Sequence, residues 1–249
     1  ADITSLLTPT AVDIGLRGEL AVALGDGSHR LRATVRDAAG NESSLTVGFV
    51  VDTEAPTVVI DQPQSNTFLN SAEPTIVLLY NDSRSGVASD LIQVTVDGIE
   101  RAAFLVPAPG GATLTLSRSQ GFDLADGPHQ VEARVVDLAG NATDAIPVTF
   151  GVDTVAPVAS VQAPVAQSFT GSPTPAIRFT LTDIAPSSGV NPDFAKVFID
   201  GLDITASVTF TTTGGAGEPV VVTGVGAVST PLGDGLHTLR ITGIDNANN

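Results

Sequence analysis

The sequence contains no Cys, no Met, no Trp and a single Tyr, and 11 Lys and Arg stand against 27 Asp and Glu for a formal net charge of -16. Each shortage excludes a class of chemistry. Without thiols there is no disulfide framework, no zinc-thiolate site and no cysteine nucleophile. With one lysine, Lys196, and no cluster of basic residues, a phosphate backbone or an anionic membrane surface finds no counter-charge, so no nucleic acid partner is expected. No run of about 18 apolar residues occurs, so no membrane insertion is expected either. The chain opens on Ala1-Asp2-Ile3-Thr4 with neither Met nor a signal-peptide pattern, which reads as a processed or truncated segment.

What is present is acid, apolar alternation and repetition. Of the acids, 20 are Asp, the shorter residue that favours turns and loop metal sites over helices. Hydrophobic residues make up 42%, enough to build cores in a chain of 249 residues. Three segments align: Gly25-Asp26-Gly27-Ser28-His29, Asp126-Gly127-Pro128-His129 and Gly233-Asp234-Gly235-Leu236-His237. Each leads into an alternating run ending on Asp37, Asp137 or Asp245, followed by Ala39-Gly40-Asn41, Ala139-Gly140-Asn141 or the divergent Ala247-Asn248-Asn249. The histidines are spaced by 100 and 108 residues, and Val51-Asp52-Thr53-Glu54-Ala55-Pro56 recurs as Val152-Asp153-Thr154-Val155-Ala156-Pro157, 101 residues on. A period near 100 means whole domains in tandem, beyond the roughly 20–50 residues of a solenoid unit.

Within one period the pattern is that of strands. Thr57 to Ile60 and Thr75 to Asp82 read as the first two, the second with Ile76, Leu78 and Tyr80 on one face. Ile92, Val94 and Val96 form the inward face of a third, closed by Asp97-Gly98. Ala102 to Val106, Thr113 to Leu116, the run of Val131, Ala133 and Val135, and Ile146 to Val152 complete it. The third repeat copies this with Ile177, Phe179 and Leu181, then Val197 and Ile199 before Asp200-Gly201. Seven short strands in about 100 residues, punctuated by Gly and Pro and without a helix, predict an all-β fold of tandem seven-stranded antiparallel sandwiches. Asp2-Ile3-Thr4 aligns with Asp203-Ile204-Thr205, so residues 1–53 read as the back half of a domain, 54–155 as a complete one, and 156–249 as one lacking its last strand. The ends are then cuts, or disorder, in a longer array.

The ordered motifs Asp-Gly-x-His, Asp-x-Ala-Gly-Asn and Val-Asp-Thr-x-Ala-Pro make the chain resemble the tandem bacterial immunoglobulin-like repeats of very large surface adhesins, over essentially all of its length. That resemblance implies calcium-stiffened stalk units on the extracellular bacterial surface, with neighbouring repeats of the same chain as partners and the distal adhesion ligand unknown. The third repeat departs from the pattern where Asn248 replaces Gly.

The junctions can also be read from the residues alone. If seven strands alternate in direction, the loops after the second and sixth lie at one pole, beside the start of the first. This gathers Asp52, Asp82 and Asp137 at one junction and Asp153, Asp183 and Asp245 at the next. Three carboxylates with no Lys or Arg in those motifs repel one another unless a cation neutralises them. Calcium suits such a set, being a hard cation that takes about 6–8 oxygens without His or Cys. Two structural interdomain Ca2+ sites are therefore expected on these six residues, with Asn141 and Asn249 offering further oxygens; the competing reading is that each Asp merely caps a turn. Asp37, without such partners, is expected to bind poorly.

No catalytic residue is expected. His29, His129 and His237 lie a domain length apart and each starts a strand after an Asp-Gly turn, where a corner hydrogen bond to upstream backbone explains them. Gly214-Gly215-Ala216-Gly217 lacks the Lys and the helix of a phosphate loop and reads as a flexible hairpin connection. The junction prolines Pro56 and Pro157 and the short linkers predict a rod, hence a mechanical spacer. Two alternatives are a ligand-binding module for glycan or protein, and accessory domains of a secreted polysaccharide-active enzyme. Aromatic residues amount to 4%, which leaves no visible glycan platform.

Overall fold

In a computed structural model, the chain is described over residues 22–215 and 218–249, together with the strand backbones Thr10–Val12 and Gly15–Arg17. The segment Asp2-Ile3-Thr4, and Ala216 and Gly217 of the Gly214-Gly215-Ala216-Gly217 stretch, lie outside the described residues. Among the described residues the fold is all-β, and its only helical turns are three-residue 3-10 ones. Among the described residues no helix is long and apolar enough to cross a membrane.

Two compact units are formed. The first comprises Ala1–Thr57, Tyr80–Leu91 and Val135–Thr143, and the second Val58–Leu79, Ile92–Arg134 and Asp144–Asn249. The first is dominated by an antiparallel hairpin of Gly27–Arg36 with Glu42–Val51, in register from Gly27 opposite Val51 to Arg36 opposite Glu42. Leu31, Leu45, Val47 and Phe49 along it are exposed.

The second unit holds the sheets in which alternation becomes core. One sheet runs in the order Val106–Ala108, Gly111–Thr115, Thr75–Asn81, Thr57–Gln62. The other runs Phe68–Leu69, Val148–Val152, Gly127–Val136, Gln93–Val96, Ile99–Glu100, with Ala142–Asp144 beside Gly127–Val136. Because side chains alternate across a strand, Ile76 and Leu78, and Val94 and Val96, are buried while Val77 and Thr95 between them lie half-covered; Phe150 and Val152 are buried too, on either side of the buried Gly151. The third repeat reproduces the pair. Val158–Ala163, Ala176–Asp183, Glu218–Ala227 and Val208–Gly215 form one sheet, and Leu202–Asp203, Val190–Ile199 and Leu239–Asp245 the other. Ile177, Phe179, Leu181, Val197, Ile199 and Val222 centre its core.

Several details differ from the sequence expectation. The segment expected as a strand from Ala102 to Val106 opens as a 3-10 turn, Ala102–Phe104, and only Val106–Ala108 pairs. The Glu100 carboxylate causes this by accepting the amides of Val94, Arg101 and Ala102, which draws the chain into a turn. The last strand of the middle repeat starts at Val148, because Pro147 has no N–H to offer the ladder. Phe68–Leu69 adds a parallel pair with Gly151–Val152 to an otherwise antiparallel design.

The histidines are corner pins. Nε2 of His29, His129 and His237 faces the carbonyl oxygen four residues upstream, Gly25, Ala125 and Gly233, at 2.7, 2.7 and 2.8 Å. Nδ1 of His129 and His237 faces the carboxylate of the preceding Asp-Gly turn, Asp97 at 2.7 Å and Asp200 at 2.6 Å, whose other oxygen accepts the next backbone amide. His237 thus has an acceptor at each nitrogen, and the Asp200 carboxylate, followed by the Gly233 carbonyl, raises its pKa above the usual histidine value. The Asp200 carboxyl is lowered in turn, chiefly by His237. A raised histidine contributes stability that is complete below its unfolded pKa and lost as pH rises through its folded one, and a lowered acid contributes stability lost as pH falls; the pair therefore supports the corner between about pH 4 and pH 6.5.

Two outcomes are expected. In an NMR titration, Asp200→Asn brings the His237 midpoint down toward about 6.5, and an unmoved midpoint contradicts the corner pairing. A Cβ at Gly224 would be driven into the buried Phe179 ring, so Gly224→Ala lowers stability to urea by about 1–3 kcal/mol. An unchanged midpoint would mean that the strand is not seated on that ring.

Candidate metal centres

The Asp-x-Ala-Gly-Asn motif is a closed turn at each occurrence. In the middle repeat the Asp137 amide donates to the Asn141 carbonyl at 2.9 Å, and Asp137 Oδ1 accepts the Ala139 and Asn141 amides, both at 2.8 Å. Asn141 Nδ2 donates to Asp137 Oδ2, also at 2.8 Å. Asp245 repeats this with the amides of Ala247 and Asn249 and the Asn249 side chain. The glycine of the motif takes a left-handed conformation at Gly140, with φ 98°, and Asn248 takes it with φ 71°. Asparagine tolerates that region better than most residues with a Cβ, so the divergent third copy keeps its turn. Asp37 closes the first copy with Asn41 and belongs to neither acidic cluster.

Upon these turns two carboxylate clusters are assembled, each wholly inside one compact unit. Asp52, Asp82 and Asp137 each bring one oxygen within 4.8 Å of the others, and so do Asp153, Asp183 and Asp245. Asp52 sits just beyond the strand ending at Val51, Asp82 just beyond the strand Thr75–Asn81, and Asp137 just beyond Gly127–Val136. Asp52 Oδ1 accepts the Glu54 amide at 3.1 Å and Oδ2 the Ser85 amide at 2.9 Å. Asp153 matches it, with Val155 at 3.3 Å and Ser188 at 2.6 Å. Asn141 and Asn249, from which further oxygens were expected, lie against the clusters with Nδ2 turned inward, to Asp52 O at 3.1 Å and Asp153 O at 2.6 Å. In this arrangement they act as donors that tie the linker carbonyl to the turn.

The electrostatics of the clusters differ. Ser85 beside Asp52 holds that carboxyl below the usual range, with the Glu54 and Ser85 amides adding to the effect. Burial acts to raise Asp137, but the Asn141 side chain and the turn amides outweigh it and the net shift is downward. Asp183 is pushed up to about 6, first by burial and then by the charge of Asp153, with Asp245 adding to it. Its Oδ2 accepts the Gly189 amide at 2.9 Å, whereas its Oδ1 is buried without a hydrogen-bond partner among the described residues. Buried carboxylate oxygens are rarely left in that state.

Other residues of these regions escaped the sequence reading. Arg84, two residues beyond Asp82, reaches Glu54 at 3.4 Å and Asp26 at 3.7 Å, so a cation does stand beside the first cluster. Asp26 and Asp126 each anchor the threonine of Val-Asp-Thr, accepting both its amide and its hydroxyl, at 3.2 and 3.0 Å for Thr53 and 3.0 and 3.0 Å for Thr154. The signal was present as a recurrent Asp-to-Thr spacing of 27 and 28 residues.

Residues 62–154 match the family model of a bacterial Ig-like domain. No curated protein matches the chain. Among solved structures, a tetra-tandem repeat from the extending region of a large adhesion protein is 25% identical, over 93% of this chain and 56% of that one, with a TM-score of 0.35. Fibronectin(III)-like modules of CbhA from Clostridium thermocellum are 16% identical over 77% of this chain and 87% of theirs, with a TM-score of 0.39. A two-domain structure, Rst D1-D2, is 13% identical over 78% and 94%, with a TM-score of 0.44.

The orphaned Asp183 oxygen yields a mutational expectation. Without divalent cations, Asp183→Asn removes a buried charge held against two others and stabilises the protein by about 1–2 kcal/mol. Thermal unfolding in excess chelator measures this, and a lowered transition would show that the charge is compensated in some other way.

Proposed function

We propose that this chain is a spacer segment of a large extracellular bacterial adhesin, in which calcium at the two aspartate clusters stiffens the junctions between successive Ig-like repeats. The observation that carries this reading is the pair of three-carboxylate clusters, one of which holds the buried, unpartnered Asp183 Oδ1. Calcium takes oxygens at about 2.3–2.6 Å, so ligands on opposite sides of one ion stand up to about 5 Å apart, and a mutual spacing within 4.8 Å suits a shared ion. The donor set also fits, because it is all oxygen, with linker carbonyls such as Asp52 O and Asp153 O adjacent.

Asp52, Asp82 and Asp137 would hold one ion, and Asp153, Asp183 and Asp245 the other. The bound charge would relieve the mutual repulsion of each set and tie the Val-Asp-Thr linker to the two loops that supply the remaining acids. A tie among three chain segments restricts bending at the linker more than backbone hydrogen bonds alone, and Pro56 and Pro157 already limit it. The repeat boundaries 1–53, 54–155 and 156–249 belong to the same proposal. So does the surface location, which the bacterial Ig-like module over residues 62–154 supports.

Thermal melting in calcium and then in chelator tests the reading. At about 100 times its Kd, a bound ion raises stability by about 2.7 kcal/mol, so the transition should move up by several degrees in calcium. Coincident transitions in the two conditions would remove calcium from the account and leave an unclamped spacer.

A further inference from the structure

We infer that the two clusters are unequal cation sites and that the one built on Asp153, Asp183 and Asp245 fills first, so that the two junctions stiffen at different calcium concentrations. This rests on the calcium reading above and adds an order to it. Burial is the first ground. Asp153, Asp183 and Asp245 are 0, 1 and 0% exposed; in the first cluster Asp137 is equally buried at 1%, but Asp52 is 8% exposed and Asp82 is half-buried. A carboxylate removed from water gains more from a cation than one that water already solvates.

The second ground is how each loop treats its acid. From Asp82 to Gly86 the chain takes four steps, and Asp82 Oδ1 accepts two amides, Arg84 at 3.0 Å and Gly86 at 2.6 Å. From Asp183 to Gly189 it takes six, and the longer loop includes Pro186, which has no N–H to give. One amide, that of Gly189, reaches Asp183, and Oδ1 is left buried and bare. The first loop gives its acid two amides, whereas the second gives Asp183 one amide and the nearby Ser187 side chain and leaves Oδ1 without a partner among the described residues.

The third ground is a fixed positive charge. Arg84 stands in the first loop, paired with Glu54, which itself lies two residues from Asp52. At the second cluster Val155 takes the position of Glu54, and the loop from Asp183 to Gly189 carries no basic residue. An entering cation meets a guanidinium at one site and none at the other.

Isothermal titration of calcium chloride into the metal-stripped chain tests the order. The expected isotherm has two steps whose affinities differ by about tenfold or more. Asp183→Asn should abolish the tighter step and Asp82→Asn the weaker, while Arg84→Ala should tighten the weaker step several-fold and leave the other in place. Circular dichroism establishes that each variant is folded. Two steps of equal affinity, or loss of the tighter step in Asp82→Asn, overturns the inference while the calcium reading stands. Absence of binding in the wild-type chain overturns both.

Discussion

Six carboxylates in two groups of three, each group with oxygens within 4.8 Å of one another, impose the constraint that organises the rest. Like charges at that separation and depth repel, and the chain reduces the repulsion with backbone amides and the Asn141 and Asn249 side chains. Backbone amides from the linker, from the loop after one strand and from the turn after another converge on the acids. The same donors that moderate the charge therefore also fix where the linker runs. Structure and electrostatics are one problem here, and Asp183, with one oxygen left bare, marks where the backbone alone does not solve it.

Around the clusters the fold repeats a small number of pins. Asp26 and Asp126 hold the linker threonines, and the His129 and His237 rings span a turn carboxylate and a carbonyl four residues upstream. All of these are side-chain contacts to loops, where no sheet ladder is available to satisfy backbone groups. In a protein without disulfides, they do much to keep the ends of the sandwiches in shape. The apolar cores lie in the strands and owe little to them, as the buried Ile177, Phe179 and Leu181 show.

Much of this was legible in the sequence for identifiable reasons. Period-two alternation marks Ile76, Leu78 and Tyr80 as one face, and all three are buried. The aspartates of the two clusters stood out because they recur in step, and the strand count placed them together. What escaped has equally physical causes. Backbone donors such as Ser85 N and Ser188 N leave no signature in residue type, so the partners of Asp52 and Asp153 were invisible. Arg84 lies two positions beyond Asp82 and reaches Glu54, a contact set by loop geometry that spacing does not reveal. The Phe68–Leu69 pair is too short to show a period. The inward amides of Asn141 and Asn249 depend on a rotamer, which composition leaves open.

The central claim, that these clusters hold calcium, is tested most directly by anomalous diffraction from crystals grown in calcium. The account predicts a peak among Asp52, Asp82 and Asp137 and another among Asp153, Asp183 and Asp245, with the second at higher occupancy when calcium is limiting. Featureless density between the carboxylates at saturating calcium, or water at hydrogen-bonding distance from Asp183 Oδ1, would contradict it.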